Sequence, residues 1–343
     1  MKLEPKDRKL KILSSIIDRY VLNGDPVGSK ALCEDLEYEF SSATIRSDMA
    51  RLVDLGYLFQ PHVSSGRVPS DQGYRLYINK LMPKKPLSLE EKIFINGILS
   101  VSATDPEKLL TGAAKVLSEI TNFTAIVTTP PSSESTVRDI TFVKIGRMTA
   151  MMVLMTSDGM VKNKIFRCDY ELNDEILYMF SGILNGKFRG EKLKDITPEF
   201  VDILVGEDRE LALLLLPVID VLMDAAKEAC EVEVKIYGQK NLLSIPGITT
   251  EMVINIFNFL ENKEKVLKLL DLGEYGVKFT VGDENKYMEL KDASVVSFHY
   301  GIGGKIGTIG IIGPTRMNYG KVYSQLEYVA SLIGVLLGRI LEN

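Results

Sequence analysis

Ser41-Ser42-Ala43-Thr44-Ile45-Arg46-Ser47-Asp48-Met49-Ala50-Arg51-Leu52-Val53-Asp54-Leu55-Gly56 is the stretch on which the fold is decided. Ile45, Met49, Leu52 and Val53 fall on one face of a helix expected from Ala43 to Leu55. Ser41-Ser42 offers an N-cap and Gly56 a C-terminal stop. The opposite side carries Ala43, Thr44, Ser47, Arg51 and Asp54, with Arg46 on the flank. Small and polar residues near the N-terminal end are what a recognition helix presents to base edges. Arg46 is suited to guanine O6/N7 or to phosphate. Asp48 and Asp54 are expected to repel phosphates, so the helix should not lie flat along a nucleic-acid backbone.

Upstream, Leu10, Leu13, Ile17, Tyr20 and Val21 mark one face of a helix from Lys6 to Leu22. Asn23-Gly24-Asp25-Pro26 is a turn, and Ser29 reads as the N-cap of a short helix, Lys30 to Leu36. Downstream, an extended piece, 57–61, leads into a second, 62–69, which contains the hairpin-type turn signal Ser65-Gly66. Ser70 reads as the cap of a helix from Asp71 to Leu81. Three helices followed by a hairpin describe a winged helix-turn-helix. Lys30, Ser42, Thr44, Arg46, Ser47 and Arg51 are its candidate DNA contacts, with His62, Ser64 and Arg67 in the wing. The stretch from Tyr57 to Ser70 has no acidic residue, and an Arg beside a glycine turn is placed for phosphate or a narrow minor groove.

Charge supports a DNA contact at one end only. The formal net charge is −5, but residues 1–85 carry 14 Lys+Arg against 11 Asp+Glu, a net of +3. The remainder has 27 against 35, a net of −8. Pro83-Lys84-Lys85-Pro86 reads as a linker. Beyond it the pattern gives helices at 88–101 and 105–120, a strand at 123–129, a break at Pro130–Ser135, and a three-strand meander over 137–167. A helical stretch from Asn173 to Ala229 follows, then a strand at 232–237 and helices between 250 and 270. The end is β-rich (277–281, 293–300, 305–312) and closes on a helix, 318–341.

Ser41–Met49, the wing segment Pro61-His62-Val63-Ser64-Ser65-Gly66-Arg67-Val68-Pro69-Ser70-Asp71-Gln72-Gly73-Tyr74-Arg75, Val27-Gly28-Ser29-Lys30 and Gly313-Pro314-Thr315-Arg316-Met317 together resemble the bacterial heat-inducible transcription repressor HrcA. The resemblance covers essentially the whole chain. The family commonly has Asn where this chain has Ser47. The resemblance implies a repressor of chaperone operons that binds an inverted-repeat operator (CIRCE type) in double-stranded DNA as a homodimer. It also implies a GroEL-type chaperonin as partner.

The implied fold class is α+β and multidomain: a winged helix-turn-helix over 1–82, a GAF-like α/β domain with an antiparallel sheet over 83–135 and 231–343, and an inserted α+β dimerisation domain over 136–230. The run Leu211–Ile219, apolar on all sides, must be buried in its own domain or against a partner. The final helix has a 4-3-4-3 spacing, Val322, Leu326, Val329, Ile333, Leu336 and Ile340, which fits either a coiled-coil seam or packing on the sheet.

No catalytic constellation, cofactor loop or metal-ligand spacing is visible, so no enzyme activity, cofactor or metal is expected. Gly301-Ile302-Gly303-Gly304 sits between two strands and reads as a hairpin turn. His299 reads as a core or surface residue of a strand. Cys33, Cys168 and Cys230 are too scattered for zinc and read as reduced thiols. Without a leader or a membrane-spanning run, the expectation is a cytoplasmic protein with no membrane partner. The alternative reading is a small-molecule-sensing GAF-type transcription regulator. A polar pocket in the GAF-like domain would favour it; a sheet covered by side chains would not.

Overall fold

The structure, a computed structural model, describes residues 5–37, 39–62, 65–130, 134–199, 209–271, 276–302 and 305–342. Ser64, one of the candidate contacts, lies outside them.

The N-terminal unit comprises α1 (Pro5–Asn23), α2 (Ser29–Asp35), α3 (Ser42–Asp54), a hairpin of β1 (Leu58–Phe59) and β2 (Val68–Pro69), and α4 (Asp71–Lys80). The two strands pair antiparallel, with Leu58 opposite Pro69 and Phe59 opposite Val68. Helix α1 is the hub, touching α2, α3, α4 and β2. It therefore buries Ile12, Leu13, Ile16 and Ile17 completely, a broader stripe than the sequence face that omitted Ile12 and Ile16. Leu32, Ile45, Met49, Leu52, Leu58 and Tyr77 close the core around it. Ser41 caps α3 by accepting the Thr44 N–H at 3.2 Å, and Ser70 caps α4 by accepting the Gly73 N–H at 3.1 Å. Gly56 follows α3 at φ +78°, the left-handed turn that favours glycine. Ser29 does not cap α2. Gly28 holds that position without a side-chain bond, and the Ser29 hydroxyl instead meets that of Ser42 at 3.1 Å.

Helices α5 (Leu89–Ser102) and α6 (Pro106–Thr121) lead into a five-stranded antiparallel sheet. Its strands are β3 (Thr124–Thr128), β7 (Val234–Tyr237), β8 (Val277–Val281), β9 (Ala293–Ile302) and β10 (Lys305–Pro314), in the order β7-β3-β10-β9-β8. Strand alternation gives the sheet two apolar faces. Ala125, Val127, Val296, Ile309 and Ile311 face α6 and the closing helix α11 (Tyr319–Glu342). Ile126, Val295 and Ile312 face α9 (Thr250–Glu261) and α10 (Lys263–Leu270). Val322, Leu326, Val329 and Ile333 of α11 are buried in the first of these cores, so its heptad-like spacing serves sheet packing.

The chain leaves this sheet after Thr128 and returns to it at Val234. The two crossings lie side by side: the Thr129 N–H donates to Glu233 O at 3.0 Å, and the Glu233 N–H to Thr129 Oγ1 at 2.9 Å. Between them stand a three-stranded sheet, β4 (Val137–Lys144), β5 (Thr149–Thr156) and β6 (Val161–Arg167), and the helices α7 (Asp174–Phe188) and α8 (Arg209–Cys230). This unit has a core of its own, built on Ile140, Met152, Leu154, Phe180, Leu184, Val218 and Leu222. The apolar run of α8 is buried on one side only. Leu215, Val218 and Ile219 are inside, but Leu213 is 66% and Leu216 50% exposed. A single layer of sheet and helix covers one face of α8 and leaves the other open.

The N-terminal unit is fixed to the body. Arg75 Nε donates to Glu284 Oε1 at 2.7 Å and Arg75 Nη2 to Phe279 O at 2.7 Å. The Asp283 N–H donates to Asp71 Oδ2 at 3.0 Å, and Tyr74 meets Tyr319 with ring centroids 5.7 Å apart. Gly282, at φ +54°, admits this approach: a Cβ there would lie 1.8 Å from Asp71 Oδ2. Among the described residues no helix is long and apolar enough to cross a membrane.

Candidate nucleic-acid interface

Helix α3 divides sharply. Ile45, Met49 and Leu52 are buried, while Ala43, Arg46, Ser47, Ala50, Arg51 and Asp54 are exposed. Asp48 departs from the sequence expectation. It is 4% exposed and turned inward, where Arg8 Nε donates to its Oδ2 at 2.6 Å and Arg8 Nη2 to its Oδ1 at 3.2 Å. Its charge is matched inside the fold and presents nothing to a phosphate. The remaining acid, Asp54, sits at the C-terminal end of α3, loosely paired with Arg51 at 4.0 Å. The N-terminal half of the outward face is therefore free of carboxylate.

The other candidates sort by what holds them. The Thr44 hydroxyl lies 2.9 Å from that of Ser41 and belongs to the helix cap. Ser42, partly buried, ties α3 to α2 through Ser29. Lys30, the next residue along α2, is exposed, which places a cation beside the start of α3.

In the hairpin, His62 is exposed and its backbone is closed by Ser65, whose Oγ accepts the His62 N–H at 3.0 Å and donates to His62 O at 2.7 Å. Arg67 stands where the hairpin loop meets β2. Its backbone exchanges bonds with Val27, at 2.9 and 2.8 Å, forming a third short rung beside β1 and β2. Its side chain is half-buried, with Nη1 3.5 Å from Ser65 O and Nε buried without a partner among the described residues. Gly66 serves close approach, since a Cβ there would lie 2.4 Å from Val27 O. Thus Lys30, Arg46, Ser47, Arg51 and His62 are presented outward, and Ser42, Thr44 and Arg67 are engaged with the scaffold.

Sequence reading missed Arg8, whose role depends on a partner 40 residues away. The only local sign was a charged residue, Asp48, one position from a buried one, Met49. Arg19, which donates to Asp35 Oδ1 at 2.6 Å and so joins α1 to α2, was missed for the same reason.

The chain is 24% identical to a solved structure described only as a hypothetical protein, which it matches at a TM-score of 0.72 over 99% of this chain and 100% of that one. That likeness concerns the fold. The family model described as the HrcA protein C-terminal domain matches residues 107–323. Among curated relatives, the heat-inducible transcription repressor HrcA of Clostridium acetobutylicum is 35% identical, with 96% of this chain and 97% of the relative covered. Those of Desulfitobacterium hafniense and Clostridium botulinum (strain Alaska E43) are 31% and 34% identical, over 98% and 96% of this chain and 98% and 97% of the relatives. Matches of this extent lie well outside the reach of a shared domain alone: the chain belongs to the HrcA family of heat-inducible transcription repressors, which is not a family of enzymes.

Proposed function

We propose that the chain is a dimeric, sequence-specific DNA-binding repressor of heat-shock chaperone operons that reads an inverted-repeat operator. In this reading residues 1–82 form a winged helix-turn-helix, with α3 in the major groove and the 57–70 hairpin as the wing. Residues 83–135 and 231–343 form a GAF-like domain, and 136–230 an inserted dimerisation domain. The observation that carries it is the division of α3: a buried apolar face, an inward-paired Asp48, and an outward face of Arg46, Ser47 and Arg51 beside Lys30. Arg46 would read a base edge; Lys30, Arg51 and His62 would meet phosphates.

The head carries little net charge, so one head alone should bind weakly, and pairing of two heads would supply much of the affinity. Open apolar residues on the 136–230 unit, Leu213 and Leu216 with Ile165 of β6, favour pairing there. Both faces of the five-stranded sheet are covered by side chains, which favours this reading over a ligand sensor of the GAF type.

The test is a titration of the full chain against a palindromic operator and a scrambled duplex at one fixed salt concentration. Preference for the palindrome, with two chains per duplex, is the expected result. Equal affinity for both overturns the reading.

A further inference from the structure

A cleft of about 1110 Å³ separates the N-terminal unit from the body. One wall comes from the α1–α2 turn and the start of α4, the other from residues 246–252, Asp283, Lys291, Asp292 and 314–316. Its ionisable lining is acidic: Asp25, Asp71, Glu251, Asp283 and Asp292 against Lys291 and Arg316, five minus two, a net of −3. Asp25, Glu251, Asp283 and Asp292 are exposed, and none of them forms an ion pair among the described residues. Burial raises the Asp71 carboxyl above the usual carboxylate range. The Asp283 N–H opposes that, while the charges of Asp283, Glu284 and Asp292 push in the same direction as burial.

A second feature is independent of this charge. Tyr74 is 2% exposed, and its hydroxyl has no hydrogen-bond partner among the described residues. It lies in the field of Tyr20, Arg316 and Asp71, all of which line the cleft. A buried hydroxyl left unbonded costs free energy that a ligand would recover. Arg316 reaches from the body to the N-terminal unit: Nη2 donates to Pro246 O at 2.8 Å, the guanidinium sits 6.0 Å from the Tyr20 ring centroid, and a Cβ on Gly24 would lie 2.4 Å from Nη1. The ring of Phe59, 47% exposed, remains open on the same cleft.

We propose that this cleft binds a small organic polycation of the polyamine class. Its ammonium groups bridge Asp25 and Asp71 on one wall to Glu251, Asp283 and Asp292 on the other, and Tyr74 accepts one hydrogen bond. An anion is disfavoured by the lining charge. A metal ion is disfavoured because no three acidic, histidine or cysteine side chains converge among the described residues. Carboxylates spread along a cleft match a ligand whose charges are spaced, and aromatic faces favour organic cations over strongly hydrated ones. The proposal stands on the cleft alone and does not depend on the DNA-binding reading.

The test is calorimetric titration of the full chain with spermidine at about 0.15 M salt, where unspecific charge attraction is screened within roughly 8 Å. Saturable binding of one spermidine per chain is expected. Asp25→Asn and Asp292→Asn, one on each wall and both exposed, should each weaken it by up to about fivefold while leaving the melting curve in place. Tyr74→Phe removes a hydroxyl that bonds nothing among the described residues, so it should weaken spermidine by about fivefold without loss of stability. Equal heat from magnesium at the same charge concentration, absence of saturation, or unchanged affinity in the Asp25→Asn/Asp292→Asn double variant each overturns the proposal.

Discussion

Arg8 on α1 holds the carboxylate of Asp48 on α3 through two hydrogen bonds, 2.6 and 3.2 Å long, and so fixes the rotation of α3 on the N-terminal core. Asp48 is nearly sealed while Arg8 keeps part of its surface in water. The two ends of the pair should therefore respond differently. Arg8→Ala strands a nearly buried carboxylate and is expected to be the more destabilising of the two. Asp48→Ala leaves a guanidinium that water can reach and is expected to cost about 1–2 kcal/mol. The double variant should cost less than the sum, because the stranded charge is gone. Hydrogen exchange of the α3 amides is the measurement. Equal acceleration by all three variants would show that the pair does not set the stability of α3.

Arg46 and Lys30 are both exposed cations near the start of α3, yet the reading gives them different work. Arg46→Ala should reduce discrimination between operator and scrambled duplex by about 1–3 kcal/mol, the range for a good bidentate base contact. Lys30→Ala should weaken both duplexes alike and lower the salt-dependence slope by about 1. Binding titrations across a salt series separate the two. A uniform loss from Arg46→Ala would reassign that residue to phosphate.

Gly66 lies so close to Val27 that a Cβ would sit 2.4 Å from its carbonyl oxygen and under 3 Å from the backbone of Pro26. Backbone cannot swing aside as a side chain can. Gly66→Ala should therefore break the Val27–Arg67 rung and cost about 1–3 kcal/mol, with the hairpin amides losing exchange protection first. Gly28→Ala makes a fair control, since a Cβ there meets nothing within 4 Å. Retained protection at Arg67 N–H in Gly66→Ala would count against the rung as the anchor of the wing.

The elements most legible in the sequence are those with local signals. Ser41, Ser70 and Gly56 announced both ends of α3 and the start of α4 because caps act over three or four residues. The meander over 137–167 was legible because strand alternation and turn glycines are also local. What could not be read was set by distant partners. Arg8 and Asp48 meet across 40 positions, and Arg75 and Glu284 across 209. Ser29 looked like a cap by the same local rule that held for Ser41, but α3 packs close enough for Ser42 to take its hydroxyl. Arg67 read as free to reach phosphate because it follows the local turn signal Ser65-Gly66. Its backbone pairs instead with Val27, 40 positions upstream, at the point where the loop meets β2.

Asp71 and Glu284 sit on either side of the contact between α4 and the body and should titrate with opposite signs. For Glu284, burial would raise the carboxyl, but the Arg75 guanidinium and the Val281 N–H outweigh it and hold it below the usual range. Its folded pKa is thus lower than its unfolded one, so it stabilises above roughly pH 4.3, and the stabilisation is lost as pH falls through the depressed folded value. Asp71 is raised, first by burial. Its ionised form is penalised in the fold, and stability falls as pH rises from its unfolded pKa through its folded one. Asp71→Asn keeps an oxygen to accept the Asp283 N–H and sheds the like charge, so the melting midpoint should rise at pH 7. Glu284→Gln should lower it at pH 7 and flatten the loss in acid. Melting curves of both variants from pH 7 down to roughly pH 3 check the signs, and two shifts in the same direction would mean that Arg75 does not govern this contact.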